Sequence, residues 1–246
     1  VAKKPRRNKF QSPLLAEREY QRQLLKVARA TWAIIEPHIE GSTIERLSEL
    51  LEQLRKYAEL IGPWAGRQAQ IMLDKVRESD RRAWRSENKK TTQGFRELVA
   101  ESAVGVQAKI LQSEQVDLIR SLPIKAGERA QSLANAAMTE GRRAEEVAKD
   151  IMNIGRVTES RARLIARTEV AKANSTLNEA RARAIGSSAY IWRTAQDESV
   201  RDSHAEMEGE VVRWDQPPTL SDGTTTHAGQ IYNCRCYAEP ILPDLD

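Results

Sequence analysis

The chain has 246 residues, enough to bury a core in one or two domains. Apolar residues make up 40% of it, charged residues 30% and aromatics 5%, with a mean hydropathy of -0.61. That balance suits a helix-rich protein with much solvated surface and argues against a dense β-sandwich. No apolar run approaches the roughly 18 residues of a membrane-spanning helix. The basic N-terminus is followed by no apolar segment, so a secretory signal is not expected either.

Net charge is only +4, but its placement is uneven. Lys3, Lys4, Arg6, Arg7 and Lys9 crowd residues 1–11, a run that reads either as a solvated tail or as an electrostatic contact with DNA phosphates. Residues 11–36 then predict a helix, with Pro13 at its first position behind Ser12 and with Leu14, Leu24, Val27, Ala28, Thr31, Ile34 and Ile35 at helical spacing. Pro37 ends it. Ser42-Thr43-Ile44-Glu45 is a capping box ahead of the stripe Leu47, Leu50, Leu51, Leu54, Tyr57, Ala58 and Ile61. Gly62-Pro63 predicts a break and a new helix carrying Trp64, Gln68, Ile71, Met72, Val76 and Trp84. After a polar stretch at 86–93, a further helix holds Phe95, Leu98, Val99, Val106, Ile110 and Leu111, and Leu122-Pro123 closes it. Residues 12–123 therefore predict a helical bundle or an elongated arm.

Beyond Pro123 the pattern predicts two helices, 125–140 and 144–153, around Gly141-Arg142-Arg143, and then a long helix over 158–185 with Gly186 as its C′ residue. A helix–turn–helix shape fits the Gly141 corner, although operator-type recognition is not the expectation. Ala162, Ala166, Ala173, Leu177, Ala180 and Ala184 share one face of the long helix, and Glu169 falls on that stripe. A carboxylate there is either a solvated edge residue or one half of an ion pair latching the helix to the C-terminal cap. Arg163, Arg167, Asn174, Asn178 and Arg181 form a polar flank, read as a solvated face or as a contact with nucleic acid or an acidic partner.

Residues 187–246 predict a small cap with short strands at Tyr190-Ile191-Trp192-Arg193-Thr194, at Val211-Val212-Arg213-Trp214 and around the cysteines over 232–241. The fold class expected is mainly α: an N-terminal bundle or arm, a long central helix and a C-terminal α+β cap. Cys234 and Cys236 are the two cysteines of the chain, and an i,i+2 disulfide is strained. In a strand, residues two apart point to one side, so both sulfurs would face one point. With His204 and His227 they would complete a closed structural zinc site. The alternative is that they pack as small buried hydrophobes. Asp197, Arg201 and His204, at spacings of four and three, would share a helix face as a latch ordering the turn, or would serve ligand binding or acid–base chemistry. The latch is preferred because no nucleophile motif, phosphate-cradling glycine loop or pair of acids accompanies the set.

Taken in order, Arg161-Ala162-Arg163-Leu164-Ile165-Ala166-Arg167-Thr168-Glu169, Asn174, Tyr190, Trp192, Asp197 to His204, Gly209, Pro217-Pro218 and Asn233-Cys234-Arg235-Cys236 resemble the phage Mu F-like minor head protein family, also called the phage head morphogenesis family. The resemblance covers residues 123–240. It implies a module over 124–246 (helices 125–186, cap 187–246) in a minor capsid protein that is not an enzyme. The implied partners are the portal protein and packaged double-stranded DNA, held without sequence preference, with the major capsid protein as a further one. The implied location is the head interior at the portal vertex, away from membrane, after assembly in the host cytoplasm. Roles in assembly, DNA packaging or DNA delivery come from the same resemblance. Arg167, Glu169, Asp197 and Arg201 match its elements as a structural latch. The loop Thr226-His227-Ala228-Gly229 departs from the family's usual Pro-Pro-Gly-like turn, which bears on His227 as a shared ligand. The competing expectation is a metal-dependent nuclease or nucleotide-transforming enzyme built on Glu169, Asp197, Arg201 and His204.

Overall fold

The computed structural model describes residues 8–39, 44–87, 93–140 and 144–242, without the side chains at 44–48, 87, 93–99, 137–138, 144–145 and 147–148. Lys3, Lys4, Arg6 and Arg7, Ser42 and Thr43 of the capping box with the side chains of its Ile44 and Glu45, the side chains of Phe95, Leu98 and Val99, and the Gly141-Arg142-Arg143 corner therefore lie outside what is described.

The described residues form six α-helices and one small sheet: α1 (Leu14–Ile35), α2 (Ile44–Leu60), α3 (Gly62–Glu87), α4 (Gln93–Glu140), α5 (Ala144–Ala184), β1 (Ala189–Arg193), α6 (Asp202–Ala205), β2 (Val211–Arg213) and β3 (Tyr237–Pro240). The mainly helical class with a small stranded cap is therefore correct. The chain groups into two compact units, neither of them a single run of sequence. Described residues within 8–17, 71–111 and 167–242 make the first, and those within 18–70 and 112–166 the second.

In the second unit α1 buries Tyr20, Leu24, Val27, Ala28, Thr31 and Ile35, one continuous stripe at helical spacing. Pro13 is not the first helical residue as expected. Its carbonyl accepts the first intrahelical bond, from Glu17 N–H, so it stands just outside the helix. The break at Gly62-Pro63 is smaller than expected: a single residue, Ile61, separates α2 from α3, because Pro63 falls in a first turn that needs no N–H from it.

Two predicted breaks are absent. Pro123 lies inside α4, which runs through the expected helix end. A proline inside a helix costs about 3 kcal/mol. Against that, Ile119, Leu122, Ala126 and Ala130 continue one buried stripe across it. Full burial of Ile119 and Leu122 contributes about 1.5–3 kcal/mol each, which outweighs the proline. Likewise 144–153 and 158–185 are one helix, α5, 41 residues long. Gly155 is tolerated inside it because Trp32 lies where a side chain would be: an added Cβ would stand 3.1 Å from the indole.

In the first unit the C-terminal part of α3 buries Met72, Leu73, Val76, Ala83 and Trp84, whereas Ile71, expected inward, is 43% exposed. Helix α5 ends where expected. Gly186 has φ +90°, Ser187 N–H reaches the Ala182 carbonyl at 2.9 Å and Gly186 N–H reaches that of Arg183 at 3.0 Å, a Schellman cap. The sheet has order β2-β1-β3, antiparallel throughout, with β1 in the middle. The third strand begins after the cysteines, not around them.

The polar flank of α5 is not a solvated face along its C-terminal half. Asn174 donates to the Phe10 carbonyl at 2.9 Å, Asn178 donates to that of Ala238 at 2.9 Å and accepts from the Trp84 indole at 3.0 Å. Arg181, 4% exposed at its side chain, bonds Asp80 at 2.6 Å and Glu101 at 2.8 Å. Each of these three buried side chains has partners, as burial demands.

Candidate metal centre

Strand β1 sets the geometry of the cap. Its alternation turns Tyr190 and Trp192 to the buried face, both 0% exposed. The Trp192 ring meets the His204 ring edge-on at 5.6 Å, and the Tyr190 ring meets those of Trp214 at 4.4 Å and His227 at 5.7 Å. Each late histidine thus has its own aromatic neighbour, and residues two apart on a strand stand roughly 6.5 Å from each other.

His204 sits on the single turn α6, which Ser203 anchors by donating to Asp222 at 2.8 Å. Beyond it Glu208 accepts from the Thr194 N–H at 2.6 Å and from the Thr194 hydroxyl at 2.7 Å. Burial opposes ionisation of Glu208, yet the Thr194 bonds and Arg193 together hold its carboxyl below the usual range. Arg193 also donates to Glu239 at 2.6 Å, so β1, β3 and the turn after α6 are tied at one end.

The cysteines lie in the loop that leads into β3. His204 Nδ1 is 3.4 Å from Cys234 Sγ and 3.4 Å from Cys236 Sγ, and the donor atoms of all three residues lie within 4.8 Å of one another. A tetrahedral ion with bonds of about 2.3 Å to sulfur and 2.0–2.1 Å to nitrogen would hold its nitrogen and sulfur ligands about 3.6 Å apart. The trio is therefore already spaced for one ion and is able to hold one. All three residues are buried. The two thiols ionise as a pair: bonds from Cys236 and then His204 pull Cys234 toward thiolate, while the neighbouring Cys234 sulfur, then burial, pushes the Cys236 thiol up. The Trp192 indole N–H and His204 Nε2 are buried without a hydrogen-bond partner among the described residues.

His227 is not part of this group. Its Nδ1 is 3.1 Å from the Tyr190 hydroxyl, and burial lowers its pKa. The four-ligand closed set expected from the sequence is thus reduced to three. The physical reason is the two-residue step along β1 that assigns the two histidines to different aromatic neighbours.

The latch residues take other partners than their spacing suggested. Residues 197–201 are not helical, so Asp197 and Arg201 share no helix face. Asp197 pairs with Arg235, and Arg201 donates to the Tyr232 carbonyl at 3.1 Å with its guanidinium 4.9 Å from the Tyr232 ring centre. Arg167 donates to the Asn233 side chain at 3.0 Å, and the Asn233 N–H donates to the Thr168 hydroxyl at 2.9 Å. Three of the four expected latch residues thus meet the loop 232–235 and not one another. Glu169 is buried on α5, in agreement with its place on the stripe. Lys9 lies 5.6 Å from the Phe10 ring centre, at the described end of the basic run.

Two features carry no clear mark in the sequence. Asn233 has φ +54°, a left-handed conformation in which asparagine is enriched, and this turns the loop back toward α5. Gly229 has φ +81°, and a Cβ there would stand 2.9 Å from the Cys236 carbonyl oxygen. The asparagine and the glycine are visible in the sequence, but the left-handed backbone at each and what it packs against are not.

Residues 129–239 match the family model described as Phage Mu protein F like protein. Over that segment the chain is similar to this family. A Haemophilus influenzae (strain Rd) protein named only "Uncharacterized protein" is 35% identical over 132 residues, 54% of this chain. The chain spans 29% of that relative's length. No solved structure matches this chain. The Mu F-like match covers the metal-type trio, the Arg167 to Glu169 element and all but the last residue of the sheet. Among the described residues no helix is long and apolar enough to cross a membrane.

Proposed function

We propose that this chain is a minor head protein of a tailed phage, acting in head assembly from the interior of the capsid at the portal vertex. The observation that carries this reading is the Mu F-like match over 129–239. The portal protein is the proposed principal partner and the major capsid protein a further one. The basic residues Lys3, Lys4, Arg6, Arg7 and Lys9 make a non-specific contact with packaged double-stranded DNA. Such a contact would serve packaging or ejection. The test is coexpression with portal rings and analysis of purified heads. The chain should copurify in fixed ratio with the portal, and absence from mature and immature heads would refute the placement. For the tail, DNA affinity should fall steeply with salt without sequence preference. A chain lacking residues 1–9 with undiminished affinity would refute the contact.

The ion proposed for His204, Cys234 and Cys236 is zinc, in a structural role. Thiolate and imidazole are its preferred donors, and small loop-rich caps with thin cores use such staples. Here the staple would fix α6 to the 232–236 loop, and through Arg167 and Thr168 that loop is tied to α5. Elemental analysis of the purified chain should give one equivalent, lost in Cys234→Ser.

A further inference from the structure

Three protein donors leave one tetrahedral position to be filled. Resting on the zinc reading, we propose that this position is open to solvent, taking a water molecule that a small anion can replace, and is not closed by a fourth side chain. Three observations carry this. First, His227, the remaining late histidine, is committed to the Tyr190 hydroxyl, and among the described residues the ligand group has three members. Second, the trio borders a small pocket whose other walls are Ser199, Val200, Arg201, Asn233 and Arg235. Its free space fits about one water molecule, which suits a single monodentate ligand and excludes a large one.

The third observation is charge. A divalent ion with two thiolates and a neutral imidazole is uncharged. On the rim, Arg235 is neutralised by Asp197. Arg201, a wall of the pocket, instead bonds a carbonyl and covers a tyrosine ring and is paired with no carboxylate among the described residues. The local balance favours an anion over a cation in the fourth position. A four-ligand structural site has no such vacancy, whereas three ligands plus solvent is the arrangement that keeps an ion accessible.

The experiment uses the full chain reconstituted with cobalt(II), with azide as the probe. Stoichiometric sulfur-to-cobalt charge-transfer absorption, with visible bands that shift saturably on adding azide, supports the open position. Charge-transfer absorption with visible bands indifferent to azide overturns it. His227→Gln should keep both signals. Loss of cobalt from a folded His227→Gln chain would mean that His227 closes the site, and would overturn the proposal. Should that variant fail to fold, the azide titration of the unmodified chain still decides. Absence of charge-transfer absorption in the unmodified chain refutes the zinc reading itself, and the open position with it.

Discussion

Removing Arg181 should be among the most damaging single changes in the first unit, and its effect should depend on pH. The Arg181 and Asp80 side chains are 4% and 2% exposed and meet at 2.6 Å, with Glu101 bonding the same guanidinium at 2.8 Å. Arg181→Ala strands the Asp80 carboxylate in the interior. Breaking a buried pair from one side costs about 3–5 kcal/mol, a large part of a typical total of about 5–15 kcal/mol. Even with Arg181 present, burial outweighs the guanidinium and raises Asp80 to about 6. A raised folded-state carboxyl stabilises the fold only where it is protonated. Its stability contribution is therefore present below about pH 4, its unfolded value, and is lost as pH rises through the folded value. The Arg181→Ala deficit should accordingly be full at pH 8 and should shrink as pH is lowered toward 5. Urea denaturation followed by tryptophan fluorescence measures it, since Trp84 lies in the same buried seam. Replacing both partners with apolar residues, Asp80→Leu with Arg181→Met, should recover most of the loss. A deficit below about 1 kcal/mol, or one independent of pH, would refute a buried, strongly coupled pair.

Gly229→Ala combines a left-handed backbone with a clash against the Cys236 carbonyl, and should cost at least about 1–3 kcal/mol and lower metal content. Thermal melts and elemental analysis check it. Gly155→Ala places a methyl 3.1 Å from the Trp32 indole inside α5, so the contact should offset the gain of about 0.5–1 kcal/mol that alanine brings to a helix interior; a melting temperature raised by that full gain, with Trp32 emission unchanged, would refute the close seat. Leu177→Ala, at a site 0% exposed, should cost about 2–5 kcal/mol in the same urea assay. Asp197→Ala breaks a partly exposed pair with Arg235 and should change stability by less than about 1 kcal/mol.

The helical class, the buried stripes of α1 and α2, the Gly186 cap and the convergence of the two sulfurs were legible in the amino-acid order, whereas the expected second histidine was not part of the group. Each of these rests on local rules: helical period, the conformational freedom of glycine, and the chemistry of thiolate and imidazole. The resemblance to the Mu F-like family was legible there too, and the match over 129–239 bears it out. Long-range packing set the remaining features. Pro123 and Gly155 read as interruptions because their local propensity is poor. Continuous burial of Ile119 and Leu122 carries the helix past the first, and the seat of Trp32 accounts for the second. Asp197 and Arg201 looked like partners because they are four apart, yet each reaches a loop more than thirty residues away. His204 and His227 looked equivalent in composition, and only the alternation of Tyr190 and Trp192 on β1 sends them to different sites. Arg181 read as a surface charge because nothing within four residues could bury it. Its partners, Asp80 and Glu101, come from two other helices, and no local rule reaches that far.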